Sequence, residues 1–70
     1  MTSTASLYRV MVNGYSIEPG ADLAGADLSH ADLTEMYLQD ANLTGSDLTN
    51  TNLSGTILNG ATMPDGSVNN

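Results

Sequence analysis

From Ala21 to Met63 the chain reads ADLAG ADLSH ADLTE MYLQD ANLTG SDLTN TNLSG TILNG ATM. Leucine returns at every fifth position: Leu23, Leu28, Leu33, Leu38, Leu43, Leu48, Leu53 and Leu58, with Met63 continuing the register. Two residues before each stands a usually small residue: Ala21, Ala26, Ala31, Met36, Ala41, Ser46, Thr51, Thr56 and Ala61. Between them lies mostly Asp or Asn. A repeat of this kind decides the architecture before any local propensity does.

A period of five fits neither regular element. On an α-helix each step of five turns the leucine by about 140°, so no apolar stripe forms. On one straight strand an odd step sends successive leucines to opposite faces. The chain must therefore bend once per repeat. The small residue and the leucine, two apart, face inward from one short extended segment, and the Asp or Asn between them faces out. The remaining two residues, drawn mostly from Ser, Thr, Gly, Asn, Asp and Gln, suit a turn. The predicted fold is an all-β coil with leucines stacked down its axis.

These repeats, A-D-L-A-G, A-D-L-S-H, A-D-L-T-E, A-N-L-T-G, S-D-L-T-N and T-N-L-S-G, resemble the pentapeptide-repeat family, whose consensus is A-[DN]-L-x-x. The resemblance covers Ala21 to about Asp65. It implies a right-handed quadrilateral β-helix with four repeats per coil, here slightly over two coils. Met36-Tyr37-Leu38 and Thr56-Ile57-Leu58 depart from the consensus and put apolar groups outside. The closing Ala-Thr-Met-Pro-Asp-Gly-Ser resembles the ends of small bacterial, often cyanobacterial, members. With four repeats per coil, residue n stacks on n+20. The outward columns are then Asp22/Asn42/Thr62, Asp27/Asp47, Asp32/Asn52 and Tyr37/Ile57, and only Asp27 over Asp47 sets acid on acid. Mutual repulsion is expected to raise the pKa values of that pair.

Upstream of the repeats, Asn13-Gly14 is a strong two-residue turn signal, because a type I′ turn needs positive φ at both positions. It predicts a hairpin with strands near Leu7–Val12 and Tyr15–Glu18. Val12 then pairs with Tyr15, Val10 with Ile17 and Arg9 with Glu18. Val10, Val12, Tyr15 and Ile17 share one apolar face, suited to cover an open solenoid end. The predicted organisation is a flexible tail over 1–6, an N-terminal hairpin cap over 7–20, the β-helix over 21–65 and a flexible tail over 66–70.

Composition narrows the function. Eight acids against one base give a net charge of −7, which argues against direct nucleic-acid or anionic-membrane binding, since phosphate neutralisation needs Lys and Arg. Phe, Trp and Cys are absent, so neither aromatic anchors nor disulfides are available to stabilise the chain. No apolar run approaches a membrane span and no secretory leader is legible, so the expected compartment is the cytoplasm. His30 falls at a predicted turn with no nucleophile or ligand set beside it. The acids match neither the EF-hand loop nor the glycine-rich calcium nonapeptide, and Asn42-Leu43-Thr44 and Asn52-Leu53-Ser54 match a glycosylation sequon only because the repeat generates it. No catalytic residue, cofactor or metal site is expected.

What remains is a structural or protein-interaction module showing an acidic surface to an unidentified protein. The candidate interaction surface is Tyr37, Ile57, Asp27 and Asp47. A second candidate is the C-terminal coil end, where Leu48, Leu53, Leu58 and Met63 form an apolar floor suited to self-association. The resemblance also implies an alternative, since some relatives resemble duplex DNA in shape and charge and bind DNA gyrase. Nine repeats, however, build a prism only about 10 Å long, the length of roughly three base pairs.

Overall fold

The computed structural model describes residues 10–69. They form an all-β chain in which a short hairpin leads into a stacked coil. Strand β1 (Val10–Val12) runs antiparallel to β2 (Tyr15–Ile17), with Val10 opposite Ile17, Met11 opposite Ser16 and Val12 opposite Tyr15. Asn13 and Gly14 join them with φ of 51° and 86°, the double positive φ of a type I′ turn. The register is the one the sequence predicts. Leu7 to Arg9, and with them the Arg9–Glu18 pairing, lie outside the described residues. Strand β2 runs to Ile17, and the Glu18 carbonyl accepts from the N–H of Ala21 at the first corner of the coil.

The hairpin's inner face is buried by the coil. Ile17 joins the leucine core, Val12 and Tyr15 pack against it, and Met11 on the other face is exposed. Val10 belongs to the apolar face but lies farthest from the turn and stays exposed. A polar tie adds to the packing: Asn13 Nδ2 donates to the Asp27 carbonyl at 3.1 Å.

Within the coil, parallel bridges join Asp22 to Asn42, Asp27 to Asp47, Asp32 to Asn52, Tyr37 to Ile57 and Asn42 to Thr62. Each repeat therefore lies on the one four repeats further along. Three bonds recur on each side. Leu23 N–H donates to the Asn42 carbonyl (2.7 Å), Gly25 N–H to that of Thr44 (2.8 Å), and Asn42 N–H returns to that of Ala21 (2.8 Å). Every corner is closed by the N–H of the next repeat's first residue bonding the leucine carbonyl, as Ala26 does to Leu23 at 3.0 Å. The residue before that donor has positive φ at each corner, the mark of a type II turn. Glycine meets this demand at Gly25, Gly45, Gly55 and Gly60, while His30, Glu35, Asp40 and Asn50 meet it at φ of 57–62°.

Burial changes along the axis. Leu23, Leu28, Leu33, Leu38 and Leu43 are at most 2% exposed, whereas Leu48, Leu53, Leu58 and Met63 are only partly buried. The first group is covered on both sides, by the hairpin or a preceding layer and by a following one. Among the described residues, no further layer is stacked beneath the second group.

The predicted flexible tail over 66–70 is not what residues 66–69 form. Gly66 (φ 89°) reverses the chain, and Val68 pairs antiparallel with Thr62. Met63 N–H donates to the Ser67 carbonyl, Asn69 N–H to that of Ala61, and Gly60 N–H to that of Asn69 at 2.5 Å. The expectation rested on Val68 as the only apolar residue available to bury. Val68 does stay exposed, and main-chain pairing organises the segment instead.

Candidate interaction surface

The outward Asp and Asn side chains are occupied locally. Asp27 Oδ1 accepts from the N–H (3.1 Å) and hydroxyl (2.6 Å) of Ser29, and Asn42 Oδ1 from the N–H (3.0 Å) and hydroxyl (2.6 Å) of Thr44. Asp32 takes the same pair of donors from Thr34. Asp22, Asp47, Asn52 and Asp65 each receive the N–H two residues on. These Asx turns hold the entries of their corners, which is why the repeat favours a short side chain carrying an acceptor oxygen at that position. The signal lay in the Asp-Leu-Ser and Asp-Leu-Thr triplets, where donor follows acceptor at a spacing of two, and the outward-facing reading of those acids passed over it.

The expected rise in the Asp27 and Asp47 pKa values is overturned. Asp27 is held below the ordinary carboxylate value by the Ser29 hydroxyl and then by its N–H, and these outweigh both desolvation and the Asp47 charge. Asp47 is likewise lowered by the hydroxyl and N–H of Thr49. His30, at an exposed corner, favours both charges. Hydrogen bonds made to the ionised form win over repulsion between two exposed groups.

Tyr37 and Ile57 do stack, 62% and 36% exposed. Neither carries the short Asp or Asn oxygen that an Asx turn needs, so their side of the coil has none. At its corner the buried Oε1 of Gln39 has no donor among the described residues. Asp27/Asp47 and Tyr37/Ile57 lie two repeats apart, half a coil, so the four residues do not make one surface.

The third feature is the coil's C-terminal end. Among the described residues, the N–H groups of Leu48, Asn50, Leu53, Gly55 and Leu58 have no hydrogen-bond partner. Nor do the carbonyls of Ser46, Thr51 and Thr56. These are the groups that the ladder uses in the layer above. They border the partly buried Leu48, Leu53, Leu58 and Met63, so this end combines an apolar floor with an open strand edge on three sides. On the fourth side Met63 lies in a third layer, whose edge the returning tail covers. Among the described residues no group of three or more His, Asp or Glu side chains is placed to hold a metal ion. No helix there is long and apolar enough to cross a membrane.

Comparison with known proteins agrees with this geometry. Residues 21–60 match the family model of pentapeptide repeats in eight copies. Among solved structures the chain is similar to HetL, a pentapeptide repeat protein involved in heterocyst differentiation regulation from the cyanobacterium Nostoc sp.. The identity is 51% and the TM-score 0.73, over 74% of this chain but only 22% of HetL. None of the curated proteins matches the sequence. With eight tandem copies over residues 21–60, and their corners and bridges in register, the chain belongs to the pentapeptide-repeat family.

Proposed function

We propose that this chain is a non-enzymatic interaction module that binds a protein partner through the C-terminal end of its coil. In this reading the coil is a right-handed quadrilateral β-helix of slightly over two turns, the hairpin is its N-terminal cap, and the setting is cytoplasmic. One observation carries the proposal. Among the described residues, ladder groups on three sides stand unpaired around partly buried leucines, while the hairpin covers the other end. Open strand edges take partners by adding main-chain hydrogen bonds, with the adjacent apolar groups supplying selectivity. HetL's involvement in heterocyst differentiation regulation supports a regulatory role for the module.

The acidic sides are the weaker candidate, because their carboxylates already serve the corners. The DNA-mimic alternative has no observation in its favour. A duplex carries a charge about every 1.7 Å along its axis, whereas the second coil, residues 41–60, carries Asp47 alone.

Capture of a partner on the immobilised chain, followed by amide exchange on the complex, tests the proposal. Slowed exchange at Leu48, Leu53 and Leu58 supports it. A complex that protects only the Asp27/Asp47 or Tyr37/Ile57 sides overturns it.

A further inference from the structure

We propose that the Tyr37/Ile57 side of the coil is a second docking site, separate from the C-terminal end, and that it takes an arginine-bearing basic segment of a partner protein. What points outward sets this side apart. On the other three sides Asp22, Asn42, Asp27, Asp47, Asp32 and Asn52 each accept the N–H two residues on. Tyr37 and Ile57 close no such turn, and both stay exposed. They are the apolar residues among the outward positions of the first two coils.

The corners at the two ends of this side carry Glu35 and Asp40, both exposed. Among the described residues no donor engages either carboxylate, whereas Asp22, Asp27, Asp32, Asp47 and Asp65 all serve their corners. Both side chains turn towards the second coil. The Glu35 Cγ lies over Gly55 and the Asp40 carboxylate over Gly60, in space that a Cβ at either glycine would invade. Glu35 also holds φ 59°, where the layer below uses Gly55. Positive φ is costly for a glutamate, and such strain gathers at binding sites.

Two unengaged carboxylates flanking an apolar strip fit a cation with a flat face. A guanidinium stacks on a tyrosine ring and bonds a carboxylate through paired donors, and an ammonium matches neither as well. Residues 10–69 contain no Lys or Arg, so the coil supplies no such cation of its own. The net charge of −7 draws a basic segment in. In the complex one guanidinium lies over Tyr37 with its aliphatic stem against Ile57, and neighbouring cations pair with Glu35 and Asp40. Exposed ion pairs make this contact weak and salt-sensitive.

Titration of the full chain into fluorescein-labelled hexaarginine, read by anisotropy in about 0.15 M salt, tests the site. Hexaarginine is expected to bind, and hexalysine more weakly. Tyr37→Ser, Glu35→Gln and Asp40→Asn each weaken hexaarginine about twofold to fivefold. The two acid variants remove no hydrogen bond among the described residues, and Asn suits the positive φ at residue 40 as Asn50 does at its own corner. Asp27→Asn removes the same charge and keeps its acceptor, as Asn42 does. It leaves binding unchanged, because Asp27 lies half a coil away across a molecule 21–23 Å wide, well beyond a Debye length of about 8 Å.

No binding up to about 1 mM overturns the inference. So does an equal effect of Asp27→Asn and Glu35→Gln, or hexalysine binding as tightly as hexaarginine. Amide shifts on adding hexaarginine separate this site from the coil end. Shifts centred on Tyr37 and Ile57 support it, whether or not a partner docks at Leu48, Leu53 and Leu58. Shifts confined to those three leucines overturn it and leave the docking end standing, and shifts confined to the Asp27/Asp47 side overturn it as well.

Discussion

Thr51 Oγ1 donates to the Leu28 carbonyl at 2.7 Å, reaching from the second coil to a corner of the first. Thr56 repeats the contact to Leu33 at 2.8 Å. Ser46 holds the equivalent place one repeat earlier, yet its hydroxyl is buried with no partner. Thr51→Val is therefore expected to destabilise the chain by about 0.5–1.5 kcal/mol, the net value of a part-buried hydrogen bond. Ser46→Ala, which removes an unsatisfied hydroxyl, should be neutral or stabilising. Urea denaturation of both variants checks this, and an equal loss for Ser46→Ala would show that its hydroxyl is bonded after all.

Corner conformation predicts a second contrast. Glu35 sits at φ 59° without the local bonding that lets Asn or Asp tolerate this region. Glu35→Gly removes a penalty of about 1–2 kcal/mol and returns about 0.5–1 kcal/mol as backbone entropy, leaving a gain of up to about 1 kcal/mol. Gly60→Ala should do the reverse. Its φ is 76°, and a Cβ there collides with the Asp40 carboxylate. Thermal melts of the two variants should move in opposite directions.

The Asx turns set the response to acid. Asp27, Asp32, Asp47 and Asp65 are all held below the ordinary value of 3.8, in each case first by the hydroxyl of the residue two positions on. A lowered folded pKa means that the ionised form stabilises the fold. That contribution is complete above the unfolded value and is lost as pH falls through the folded ones. The urea midpoint should therefore fall from pH 5 towards about pH 2. Asp32→Ala should destabilise at neutral pH, with a difference that narrows in acid. Asp32→Asn keeps the acceptor, as Asn42 does with Thr44, and should cost less than Asp32→Ala at neutral pH. A midpoint that climbs on acidification would restore the repulsion picture.

The returning tail predicts a pattern of amide protection. Gly60 and Met63 N–H donate to the Asn69 and Ser67 carbonyls. Truncation after Asp65 should release both amides to fast exchange. Leu33 N–H, bonded to the Asn52 carbonyl at 2.9 Å, should remain protected. Unchanged protection at Gly60 and Met63 in the truncated chain would show that the tail does not cover that edge.

The coil was legible because a spacing of five admits no straight element, and because Asn13-Gly14 fixes the hairpin register by the φ values it demands. Those are local constraints, set by chain geometry and residue type. The tail was misread for a physical reason: apolar burial is visible in a sequence, while main-chain pairing to a distant edge is not. Asn69 carries no mark that its N–H and carbonyl will meet Ala61 and Gly60.

The same division runs through the candidate surface. The sequence by itself determined that Leu48, Leu53, Leu58 and Met63 line the axis, and that Tyr37 and Ile57 face outward, because alternation within each short segment assigns the face. Only the tertiary structure decided which of the repeat leucines stay partly exposed and which acids are spoken for. Burial depends on whether another layer follows, and a carboxylate's charge on which donors the folded corner brings to it. Leu23 and Leu53 occupy the same place in the repeat, and the difference between them is the presence or absence of a covering layer.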